Sequence, residues 1–367
     1  MKRGLIQWNK KEVPMEEFES RIEKTKSLME SQGVDILAIY GDACQSNNLS
    51  YLTNFFPYAD TGIFVLPMNK TPKIFTTHAY RNMPWFNTIT WVQDIVCTDD
   101  IGTESAMYLK TFDLTGKKIG ILNTCSFPFP IYSILKEEIS SDFIDLTKGF
   151  EKIRMVKTSV EKEFTKKAAR IAGLSLDRVK KTYRQGVSGY DLAAEVELVS
   201  RKNGAEDVLC LIQPDNSPSG LSLPTSDPIA TMCSVEISVE FQGCWAKLGR
   251  TLISDDAPQE YRDQLGEFVR SYQNSVRHLR VGNSFFSWLK ELRAQYEATG
   301  LGENLDVYFD PGLEPYWGIH RIMDDVFQND MVFYSKVLLR VSDTLQLVLS
   351  DTFMLKNSAI SLAVDFE

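Results

Sequence analysis

Residues 235 to 252 read VEISVEFQGCWAKLGRTL. The first half alternates as a half-buried strand, with Val235, Ile237, Val239 and Phe241 on one face and Glu236, Ser238, Glu240 and Gln242 on the other, before Gly243 turns the chain into a second run. Such a polar face is either a solvated edge or the wall of a site. The chain has three histidines, His78, His278 and His320. His320, in PYWGIHRIMDD, is the candidate proton carrier near neutral pH. A loop histidine bonded to a carbonyl is the simpler use, because no nucleophile with a fixed partner can be named. Tyr316 and Trp317 beside it would floor a pocket or pack, and Glu314, Asp324 and Asp325 read as solvated acids. Cys244 has no local histidine or helix N-terminus to activate it and reads as an inert thiol.

The elements that must hold these groups follow from periodicity. Apolar residues at helical spacing run from Met15 to Gly33, which is placed to close the helix in a left-handed cap. Strand-like runs at 35–40, 62–67, 73–77 and 118–122 alternate with helical stretches and predict an α/β domain over residues 1–150. Thr158 with Glu161, and Ser188 with Asp191, form capping boxes at the heads of two helices. The strand pair at 235–252 follows. Helices from about Pro258 to Leu279 and from Ser284 to Thr299 come next, then strands at 331–341 and 344–355. Residues 151–367 therefore read helix, helix, strands, twice over.

Composition narrows the function classes. With 367 residues, 43% hydrophobic and 24% charged, the chain has the make-up of a globular protein of two domains. A formal charge of -9 argues against nucleic acid or an anionic membrane as the main partner. No run approaches a membrane span. The six cysteines show no paired spacing, which predicts reduced thiols in a cytoplasmic protein and no zinc site.

The layout resembles the creatinase, prolidase and aminopeptidase P family, whose catalytic domain has the duplicated pita-bread fold. RIEKTKSLMESQGVDILAIY and NNLSYLTNF are similar to its N-terminal domain. IRMVKTSVEKEFTKKAARIAG, FQGCWAKLGRTL, DMVFYSKVLL and VLSDTFMLKNSAISL are similar to the entry, first strand pair and closing strands of its catalytic domain. The resemblance implies an α+β protein, a small α/β N-terminal domain followed by a duplicated α+β pita-bread domain. It also implies a homodimer in which the stretch from Asn54 to Asp60, with Tyr58 and Asp60, reaches the partner's site.

The departures bear on function. Family peptidases hold two metal ions on two Asp, one His and two Glu, and the matching positions here are Glu236, Lys247, a residue near Phe309 or Asp310, Lys336 and Ser350. No metal and no cofactor are expected on that set, since a charged ammonium cannot coordinate. The histidine base of creatinase falls near Ser219 or Gly220 and is also missing. The fold implies that Glu236 and Glu240 line the cleft with Lys247, Lys336 and Arg340, and His320 is the histidine near it. Glu236, Lys247, Lys336 and His320 are the candidates for chemistry. Glu240, Tyr316, Arg340, Ser350, Tyr58 and Asp60 are the candidates for ligand contact. The resulting expectation is a metal-independent homologue acting on a small amide, guanidino or carboxylate-bearing molecule, with carbon–nitrogen cleavage as the reaction. The alternative is an inactive pseudopeptidase serving as a ligand- or protein-binding scaffold.

Overall fold

The computed structural model describes residues 7–215, 220–300, 304–310, 326–342 and 345–362. The chain divides into two compact units, Met1–Arg154 and Met155–Glu367.

The first unit runs α1 (Met15–Ser31), β1 (Ile36–Asp42), α2 (Asn47–Thr53), β2 (Thr61–Pro67), β3 (Lys73–Thr76), α3 (Met83–Ile89), β4 (Asp94–Cys97), α4 (Ile101–Lys110), β5 (Lys118–Leu122), α5 (Phe129–Glu138) and β6 (Asp142–Asp145), with α6 (Thr147–Met155) at its end. Its six strands lie in the order β4-β3-β2-β1-β5-β6. β1, β5 and β6 are mutually parallel, while β2 is antiparallel to both β1 and β3. The unbroken apolar run of β1 follows from burial on both faces. Leu37 and Ile39 join one core with Met29, Phe64 and Leu66, and Ile36 and Tyr40 join the other with Ile63, Val65 and Ile121. Gly33 closes the chain after α1 at φ +64, a conformation a Cβ would strain.

The second unit runs α7 (Ser159–Thr182), α8 (Gly189–Lys202), β7 (Asp207–Pro214), β8 (Met232–Phe241) and β9 (Cys244–Ile253). It then repeats the pattern with α9 (Gln259–Val276), α10 (Phe285–Glu297), β10 (Leu305–Asp310), β11 (Val332–Ser342) and β12 (Leu345–Lys356), and ends on β13 (Ser358–Ser361). Capping boxes at Thr158 with Glu161 and at Ser188 with Asp191 satisfy the free amides at the starts of α7 and α8. The sheet order is β10-β11-β12-β9-β8-β7, with β13 on β12. β8 and β9 form a hairpin whose two loop residues, Gln242 and Gly243, both have positive φ, as a two-residue turn between twisted strands requires. One face of the sheet packs under the helices through an aromatic core. Phe309, Phe333 and Phe353 stack in sequence there, and Trp288 and Tyr296 each donate a hydrogen bond to a backbone carbonyl, of Ser275 and Phe268.

The two halves meet where β9 pairs with β12, in rungs at Arg250 with Leu349 and Gly249 with Ser350. On either side of those rungs a threonine hydroxyl takes over the ladder. Thr352 Oγ1 accepts from the Lys247 amide (2.7 Å) and donates to the Lys247 carbonyl (2.9 Å). Thr251 Oγ1 accepts from the Val348 amide (2.8 Å). The arrangement has an approximate two-fold axis through the Gly249–Ser350 pair. A Cβ at Gly249 would sit 2.7 Å from Ser350 Oγ, so this rung admits glycine because its partner approaches so closely.

One expectation is corrected at this level. β8 is not half-buried, because all ten of its residues are buried. Its apolar face is covered by α7, where Phe164 meets Phe241 at 5.7 Å between ring centroids. Its polar face carries Ser234, Glu236, Ser238 and Glu240, all buried.

Candidate functional site

The register of the sheet sets Tyr308, Lys336, Ser350, Gly249 and Glu236 opposite one another across β10, β11, β12, β9 and β8. Residues directly opposed across strands project to the same face, so this row forms one line of side chains. Lys247 lies two residues from Gly249 along β9 and therefore faces the same way.

At the centre is the Glu236 carboxylate, its side chain 3% exposed. Lys336 Nζ donates to Glu236 Oε1 at 3.4 Å, and Lys247 Nζ stands 3.9 Å from the same oxygen. The lysine ammoniums also lie over aromatic faces, Lys247 5.4 Å from the Tyr334 centroid and Lys336 5.4 Å from that of Tyr308. The cluster thus joins three strands from both halves of the duplication and carries one net positive charge. Ser350 Oγ and Glu236 Oε2 are buried and make no hydrogen bond.

Behind the site, on the helical face of the sheet, Arg250 donates to Asp351 Oδ1 (2.8 Å) and to the carbonyls of Gly249 (2.8 Å) and Ser350 (3.0 Å). Burial raises the Asp351 carboxyl above its ordinary range, and the Arg250 guanidinium only partly offsets that. This pair fastens β9 to β12 beneath the row.

The structure brings together Glu236, Lys247, Lys336 and Ser350. Two other candidates on this sheet make no ion pair with the cluster. Glu240 is fully buried on the same face of β8, opposite Asp207 and Trp245; it lies four residues from Glu236 and, like Glu236, two residues from Ser238, the cross-strand partner of Lys247. Arg340 is exposed four residues beyond Lys336, where the β11–β12 pairing shifts register, so it does not line the cluster as the alternation along β11 had suggested. Tyr58 and Asp60 belong to the first unit. Tyr58 is 43% exposed, and Asp60 Oδ2 pairs with His78 Nδ1 at 2.7 Å. Burial among Phe55, Trp85 and Phe86 lowers the pKa of His78, with Asp60 opposing the shift. His320 and Tyr316 lie outside the described residues, as do Glu314, Trp317, Asp324 and Asp325.

Sequence reasoning missed Thr352, Tyr308 and Tyr334. Thr251 and Thr352 mark equivalent places in the two halves, yet their side-chain ladder bonds are set by strand register across 97 and 105 residues and leave no local signature.

The donor set does not fit a pair of hard cations. Such ions need oxygen or imidazole donors, and two of the positions matched to family ligands carry ammonium groups. Among the described residues no group of three or more His, Cys, Asp or Glu could hold a metal ion.

Comparison with known proteins agrees with this architecture. Residues 21–156 match the creatinase/prolidase N-terminal domain, and residues 163–334 match metallopeptidase family M24. An uncharacterized peptidase of Methanocaldococcus jannaschii is 22% identical over 366 residues, covering 92% of this chain and 93% of that protein. Among solved structures, the Xaa-Pro dipeptidase from Bacillus anthracis superimposes with a TM-score of 0.81 at 18% identity, over 95% of this chain and 98% of that one. The prolidase from Pyrococcus horikoshii OT3 gives 0.82 at 15%, over 94% and 98%. The X-Pro aminopeptidase from Thermotoga maritima MSB8 gives 0.81 at 16%, over 94% and 97%. At these identities the structural likeness speaks for the fold alone. With both of its units matched in order, the chain belongs to the creatinase and M24 metallopeptidase family as a divergent pita-bread member without a metal-ligand cluster among its described residues.

Proposed function

We propose that this protein is a pseudopeptidase, a family member that has exchanged metal-dependent hydrolysis for ligand binding. One observation carries the reading: where family peptidases gather carboxylates around metal ions, a single buried carboxylate is shared by two ammonium groups. A buried carboxylate flanked by two cations is internally compensated, and a metal ion entering beside them would meet like charge. Metal-free carbon–nitrogen cleavage needs a base free to take a proton. Glu236 is already engaged by Lys336 and flanked by Lys247, which favours the scaffold over the enzyme.

The test is direct. Purified protein is titrated with manganese, cobalt and zinc by calorimetry and assayed with Xaa-Pro dipeptides in the presence of each metal. The expected result is no stoichiometric ion binding and no turnover; two tightly bound ions, or metal-stimulated hydrolysis, would overturn the proposal. Among the described residues no helix is long and apolar enough to cross a membrane. The family resemblance also supports a homodimer, which sedimentation analysis would check.

A further inference from the structure

We infer that the site takes a small monocarboxylate, held between Lys247 and Lys336. The inference rests on the scaffold reading above and names the ligand of that same site.

The argument begins with donors. A lysine ammonium offers three hydrogen-bond donors and no acceptor. Lys247 is 9% exposed, and its ammonium makes no hydrogen bond to any described residue, its nearest carboxylate oxygen being 3.9 Å away. An ammonium so enclosed, paired only at ion-pair distance with Glu236 and with no hydrogen-bond acceptor, gains by meeting an anion. Lys336 makes one long bond at 3.4 Å, and its side chain is 21% exposed beside Tyr308, itself 41% exposed. The cluster is therefore reached from solvent at Lys336 and is deepest at Lys247. Because both nitrogens are measured from Glu236 Oε1, the two distances together cap their separation at 7.3 Å. A carboxylate whose oxygens each accept a charge-assisted bond of about 2.7–2.9 Å can bridge that span.

Charge selects the class of anion. Within the cluster two ammonium groups against Glu236 leave one positive charge, and the buried acids Glu240 and Asp310 further along the same face weigh against an anion of higher charge. Ser350 Oγ, fully buried and unpartnered directly opposite Lys336, supplies an additional neutral donor in the same row.

The experiment titrates the full chain with sodium acetate and sodium propionate by calorimetry and thermal shift. Acetamide and inorganic phosphate serve as controls at matched ionic strength. Carboxylates are expected to raise the melting temperature in a saturable way, with acetamide inert and phosphate weaker. Lys247→Gln and Lys336→Gln, each checked for native near-ultraviolet circular dichroism, should weaken acetate binding about tenfold or more, while Lys336→Arg stays within about threefold of wild type. No saturable response to carboxylates in the wild-type protein would overturn the assignment whatever the variants do. So would an equal response to acetamide, or unchanged binding in both glutamine variants. Absence of carboxylate binding together with absence of metal binding and hydrolysis removes only the ligand assignment. Stoichiometric metal binding removes the scaffold reading itself.

Discussion

Replacing Glu236 with glutamine tests the central feature of the site. The substitution preserves shape and leaves an amide oxygen to accept from Lys336, but removes the charge that both lysines share. Two ammonium groups at most 7.3 Å apart then face each other alone. At an effective dielectric near 20 their repulsion is about 2 kcal/mol. Breaking a buried ion pair by deleting one partner costs about 3–5 kcal/mol. Lys336 is 21% exposed and can turn its tip to water, which places the loss at the lower end, about 2–3 kcal/mol. For a unit of this size that lowers the melting temperature by roughly 4–12 °C. The assay is thermal and urea unfolding of Glu236→Gln, Lys336→Met and the double variant. Because the cost comes from uncompensated cations, the double variant should regain about 1 kcal/mol or more over Glu236→Gln alone. A loss below about 0.5 kcal/mol for Glu236→Gln, or a double variant no more stable than that single one, would show that these charges do not hold one another.

Two further outcomes follow from particular contacts. Gly249→Ala would ordinarily help a strand, yet its new Cβ meets Ser350 Oγ at 2.7 Å, so the expected change is a loss of about 1–3 kcal/mol that Gly249→Ala/Ser350→Ala partly restores; an unaltered urea midpoint in the single variant refutes the close approach. His78, whose pKa is lowered by burial, contributes stability that is fully present above its unfolded value near 6.5 and is lost as pH falls from there through its folded value. Urea unfolding at pH 7.5 and 5.5 should therefore show a smaller acid loss in His78→Asn than in wild type, and equal losses would sink the assignment.

Much of the architecture was legible because its signals are local. The capping boxes at Thr158 and Ser188, the αL glycine at 33, the turn at Gly243 and the doubled helix–helix–strand order all arise from residues within a few positions of one another. β7 and β10 were not singled out. They are edge strands of eight and six residues whose character comes from pairing with β8 and β11. The alternation of β8 correctly separated its two faces and left open whether the polar one was wet. Periodicity reports which residues share a face, whereas burial depends on what the rest of the chain lays over it.

What the sequence by itself determined was the family, the duplicated order of elements and the change of sign at Lys247 and Lys336, because residue types and spacings carry those facts. Only the tertiary structure decided that both lysines converge on one oxygen of Glu236, that Arg340 stands apart, and that Gly249 is held against Ser350. The reason is register. Glu236 and Lys336 are 100 residues apart, and they meet because β9 and β12 lock in two rungs that align every row of the sheet across both halves.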